Sequence, residues 1–77
     1  MAIDARWRKT TDVNRTHAVF ELVHDGKILL DVGFSREDVL EIAFHEGVSN
    51  TVVGWDSFFY LLDQGRKLAE GDKGLTN

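Results

Sequence analysis

The sequence predicts an α+β fold, a small antiparallel β-meander of three strands, with material for a fourth, whose apolar face is covered by a C-terminal α-helix. Three observations predict it. Within 16–34, two runs rich in Val, Ile, Leu and Phe flank the turn dipeptide Asp25-Gly26, a hairpin signal. Within 39–46, apolar and polar residues alternate over Leu40, Glu41, Ile42, Ala43, Phe44 and His45, the period of a half-buried strand. Within 55–70, Phe58, Leu61, Leu62, Gly65, Leu68 and Ala69 follow the spacing of one helix face.

Residues 1–15 read as a basic N-terminal arm. They carry Arg6, Arg8, Lys9 and Arg15 against Asp4 and Asp12. Alternation of Ala5, Trp7 and Lys9 with Arg6 and Arg8 also suits a short edge strand, and the TTDVN tract after it suits a loop. One functional reading has Arg6, Trp7, Arg8, Lys9 and Arg15 binding nucleic acid, with the indole as a stacking platform. A second docks them on an acidic protein. A structural reading lets Ile3 and Trp7 cover exposed core while the charges face water.

In the hairpin, side chains argue for a loop length. A two-residue loop would place Phe20 opposite Asp31. A three-residue loop, His24 to Gly26 with Gly26 left-handed, pairs Leu22 with Ile28, Phe20 with Leu30 and Ala18 with Val32. One face is then wholly apolar. A one-residue slip turns every side chain over, so the longer loop is expected. The second face carries His17, Val19, Glu21 and Val23 on one strand and Lys27, Leu29, Asp31 and Gly33 on the other.

Residues 36–46 allow two readings. As a helix, Ser35 is the N-cap and Gly47 the stop, giving a ββαβα order. As a strand, Leu40, Ile42 and Phe44 join the apolar face, and the meander gains the third strand that an isolated hairpin needs. The strand is the expectation. Thr51-Val52-Val53 is a further short strand or an extended connector. The helix 55–70 starts with Asp56 at its positive end and stops at Gly71 as the C′ residue. Gly65 falls on its apolar face, which implies close backbone approach to the sheet. The expected organisation is a basic arm at 1–15, one α+β domain at 16–71 and a frayed tail at 72–77. Its expected core is Phe20, Leu22, Ile28, Leu30, Val32, Phe34, Leu40, Ile42, Phe44, Phe58, Leu62 and Leu68.

Seventy-seven residues hold one thin core. With no Cys there is neither a disulfide nor a thiolate metal site. No apolar run reaches the length of a membrane span, and residues 1–10 lack a signal-peptide core. The expected location is the cytoplasm, with no membrane contact. Net charge is −4, distributed as +2 on residues 1–15 and −6 on the remainder. An acidic body disfavours general nucleic-acid binding and is compatible with a basic protein partner or with solubility alone.

Catalytic signatures are scarce. The glycines form no phosphate-binding loop, and Ser35, Ser49 and Ser57 lack a nucleophile context. His17, His24 and His45 have no compact ligand spacing, so neither a metal nor a cofactor is expected. Glu21, Asp31 and Glu41, one per strand on the second face, form the best acid–base candidate, with Lys27 and His45 as neighbours. The expected function is nonetheless non-enzymatic: a small acidic protein-interaction module of inhibitor or accessory-subunit type, binding a basic partner or a second copy of itself. Its expected contact face is Val19, Glu21, Val23, Leu29, Asp31, Glu41, Ala43 and His45. The alternatives are a nucleic-acid-associated protein using the basic arm, and a small enzyme or enzyme subunit using the sheet-face carboxylates.

Overall fold

The computed structural model describes residues 4–76. Four antiparallel strands lie in sequence order, β1 (Ala5–Thr10), β2 (Val19–His24), β3 (Lys27–Phe34) and β4 (Leu40–Phe44). A 3₁₀ turn at Glu46–Val48 follows, and one helix, α1 (Trp55–Thr76), packs against the sheet. This is the expected α+β meander with its C-terminal helix.

The fourth strand is β1, not 51–53. Residues 5–10 therefore do not stand apart as an arm. They pair along the whole of β2, from Ala5 opposite His24 to Thr10 opposite Val19. Trp7 holds them there. Its Nε1 donates to the Leu61 carbonyl of α1 at 3.1 Å. The indole lies on Gly65, where a Cβ would come within 2.5 Å of Trp7 Cζ2. Gly65 thus supplies the close approach that its place on the helix face implies. Ile3, the other expected cover, lies outside the described residues.

The β2–β3 connection corrects the expected pairing while keeping its consequence. Asp25 and Gly26 both have positive φ, 53° and 75°, which makes a two-residue turn with His24 opposite Lys27. Left-handed pairs of this kind match the twist of the flanking strands. The register then shifts between Leu22 and Val23, where a bulge absorbs Leu29. Beyond it Leu22 lies opposite Leu30 and Phe20 opposite Val32, so all four share the buried face. Leu29 also joins the core, while Ile28, paired with Val23, turns out of it. The bulge therefore exchanges the expected roles of Ile28 and Leu29.

Residues 36–46 form no α-helix; 40–44 are strand β4. Asp38 adopts φ 69°, Asp38 N–H donates to the Ser35 carbonyl and Val39 N–H to Ser35 Oγ. The Ser35 hydroxyl thus closes a tight β3–β4 turn instead of opening a helix. Helix α1 in turn runs past Gly71. Asp72 is buried, accepts the Ala18 N–H at 3.1 Å and pairs with Lys9 at 2.8 Å. Lys73 lies over the Phe34 ring, 4.5 Å from its centre, and pairs with Asp38. These tertiary contacts hold the last turns that a sequence reading assigns to a frayed tail.

The core is Phe20, Leu22, Leu29, Leu30, Val32, Leu61 and Ala69, with Trp7, Phe34, Leu40, Phe58 and Leu62 packed around it. Ile42, Phe44 and Leu68, expected inside, are largely exposed. The helix is pinned to β1 by Trp7 and lies over β2 and β3, so the same face of β4 is left open at Ile42 and Phe44 while Leu40 packs against the core.

Candidate functional site

The outer sheet face, away from α1, brings together most of the residues expected to bind a partner. Glu21 and Asp31 lie opposite each other on β2 and β3, and Ala43 lies opposite Asp31 on β4. Each acid has its own hydrogen-bond donor. Arg8 donates Nε and Nη2 to Glu21 Oε1 at 3.2 and 2.7 Å. His45 Nε2 donates to Asp31 Oδ2 at 2.7 Å. Arg15 Nη1 reaches Glu41 at 3.4 Å and also donates to the Phe34 carbonyl. Two of the three acids form ion pairs with arginines and the third accepts a hydrogen bond from His45; the loop 11–18 folds back and brings Arg15 to Glu41. Arg15 N–H and Asn14 N–H both bond to Asp12 there.

Two members of the expected contact face are not surface residues. Val19 is buried, its side chain lying where a Cβ on Gly33 would meet Val19 Cγ2 at 3.3 Å. Leu29 is in the core, for the bulge reason given above. Val23 is half-buried and Ala43 exposed. What remains is a charge-neutralised face around a shallow concavity of about 630 Å³.

Of the basic residues of the N-terminal segment, Arg6 is exposed on β1 and the other three are engaged. Arg8, Lys9 and Arg15 pair with Glu21, Asp72 and Glu41 respectively, and Trp7 is turned toward the helix. The Lys9 ammonium, then the Ala18 N–H, hold the Asp72 carboxyl below the usual carboxylate range. His24 Nδ1 donates to the Asp4 carbonyl at 2.6 Å, and His45 lies on a different strand edge. Among the described residues no three His, Asp or Glu side chains are grouped as a metal site. Among the described residues no helix is long and apolar enough to cross a membrane.

A different surface carries the exposed apolar groups. On the helix side of β4, Ile42 is 44% and Phe44 66% exposed. On α1, Phe59, beside Ile42, is 51% exposed, and its ring centre lies 4.9 Å from that of Trp55, which is 77% exposed. Between strand and helix runs a groove of about 280 Å³ lined by Val32, Leu40, Ile42, Phe59 and Leu62, with Asp63 and Arg66 beside it. Those two charges neutralise each other in an ion pair. Comparison with family models, with curated proteins and with solved structures found no match for this chain.

β4 is also an edge strand. Val39 C=O accepts from Ser35 N–H, and His45 N–H donates to the Leu29 carbonyl. Odd-numbered residues of this strand therefore point their backbone groups at β3. By alternation, the N–H and C=O of Leu40, Ile42 and Phe44 point away from the sheet. The same three residues bear the apolar side chains. The sequence does contain the signal for this surface: LEIAF has a single charge in five residues. It was assigned to the core because parity says which face a side chain is on, not how far the helix extends over that face.

Proposed function

We propose that this protein is a non-enzymatic interaction module whose contact surface is the free edge of β4 and the apolar groove beside it. One observation carries the reading: the outward-pointing backbone groups and exposed Ile42 and Phe44 lie on the same strand, and Ile42 shares an apolar groove with Phe59 of α1. An open apolar edge is a template for strand addition, in which main-chain bonds supply affinity and side-chain pockets supply specificity. Large contiguous apolar surface at such an edge is the common mark of a protein contact. The outer face, by contrast, has its acids already paired.

The test couples the wild-type chain and an Ile42→Lys variant to beads and measures what each retains at low and moderate salt. The expected result is a protein, or a second copy of the chain, that wild type holds and the variant releases. Equal retention by both forms would place the contact elsewhere and overturn the reading.

A further inference from the structure

We infer that the occupant of the β4 edge is β4 of a second copy, joined antiparallel about a two-fold axis at Ile42. The inference rests on the reading of β4 as the binding edge. Only registers that set outward-pointing residues against outward-pointing residues form a ladder. Centred on Ile42, the arrangement pairs Ile42 with Ile42 of the copy and Leu40 with Phe44 of the copy. Every backbone group that faces outward from Leu40, Ile42 and Phe44 then finds a partner. Glu41 falls opposite Ala43 of the copy, so no acid faces an acid. Moving the centre toward Glu41 sets two glutamates against each other, which is unfavourable. Moving it to Ala43 leaves Leu40 unpaired.

The surface along this edge is apolar: Ile42 is 44% and Phe44 66% exposed on β4, and Phe59, 51% exposed, lines the groove beside Ile42. A ladder centred on Ile42 covers the strand's apolar side chains together with its outward backbone groups, which is what an open apolar edge strand otherwise leaves in water. A two-fold axis normal to the sheet keeps both copies of α1 on one face. Phe59 of each copy, which lines the groove with Ile42, then faces the seam.

Sedimentation equilibrium on the full chain tests it. Wild type is expected at twice the 8.7 kDa chain mass. Ile42→Lys and Ile42→Glu alone are each expected at the monomer mass, since like charges then meet across the axis. Their equimolar mixture is expected to return to the dimer mass. Two chains of net charge −4 should associate more tightly as salt rises, whereas binding to a basic partner should weaken. Amide exchange gives an independent readout: Leu40, Ile42 and Phe44 N–H should be protected in concentrated wild type and lose protection on dilution.

Wild type that stays monomeric, with those amides unprotected, overturns the inference. If bead retention of another protein is then still lost in Ile42→Lys, the edge remains a binding site and only the identity of its occupant was wrong. A wild-type dimer that Ile42→Lys leaves intact also overturns the inference, and equal bead retention by both forms overturns the reading of the edge as a binding site as well.

Discussion

At one margin of the sheet β1 presents Arg6, Arg8 and Lys9; at the other, β4 presents Leu40, Ile42 and Phe44. Both strands have one side without a neighbour. Charged side chains make β1 a poor template for another strand, and Trp7 ties it to α1 through Gly65 and the Leu61 carbonyl. β4 has one charge, Glu41, which is turned to the outer face and held by Arg15. It is joined to the helix only across an open groove. The difference follows from where the helix sits. The notch at Gly65 draws α1 toward β1, and a single helix is too narrow to cover four strands. The uncovered strand is the one whose composition suits a partner.

That contrast makes graded predictions. The centre of the sheet sets the upper limit. Leu30 is fully buried, so Leu30→Ala should cost about 2–5 kcal/mol in urea unfolding. At the β1 margin, Trp7→Ala should cost about 3 kcal/mol, the lower end for an aromatic truncation because the ring is only partly buried. A Trp7→Ala protein as stable as wild type would remove the contrast between the margins.

Gly65→Ala comes next. A Cβ there collides with the indole, so a loss of about 1–3 kcal/mol is expected. In the Trp7→Ala background the same change should instead stabilise by up to about 1 kcal/mol, because Ala is the better helix former. A double-mutant cycle by urea unfolding reads this change of sign directly.

Acid tests the third link, Lys9 to Asp72. The folded state holds the Asp72 carboxyl below its unfolded range, so its contribution is present at neutral pH. That contribution fades as pH falls from about 4, the ordinary carboxylate value, through the folded pKa. Asp72→Asn should have a lower urea midpoint at pH 7 and a flatter loss of stability in acid. A parallel acid limb in the two proteins would show that other carboxylates carry it.

The smallest effect belongs to β4. In dilute monomeric protein, Phe44→Ser should change stability by less than about 1 kcal/mol, since the ring is two-thirds exposed. A loss as large as that of Trp7→Ala would mean that Phe44 is core after all.

Much of the fold was legible because it is local. Asp25-Gly26 marked the hairpin, alternation over 40–45 marked β4 against a competing helix, and the spacing from Phe58 to Ala69 marked the packed face of α1. The misreadings share a cause. The bulge at Leu29, the β1 pairing and the last turn of α1 each depend on residues far apart in the chain: Leu22 with Leu30, Trp7 with Leu61, Asp72 with Lys9 and Ala18. The candidate surface was misplaced in the same way. Glu21, Asp31 and Glu41 were correctly put on one face, but nothing local indicated that Arg8, His45 and Arg15 would each take one of them.

Side-chain period and turn chemistry act over a few residues, so the sequence by itself determined the elements, their order and the parity of Phe20, Leu22, Leu30 and Val32. The lateral position of α1 is set by one long-range fit, an indole against a missing Cβ. Only the tertiary structure could therefore decide that Ile42 and Phe44 are left facing outward, at an edge whose backbone is still unpaired.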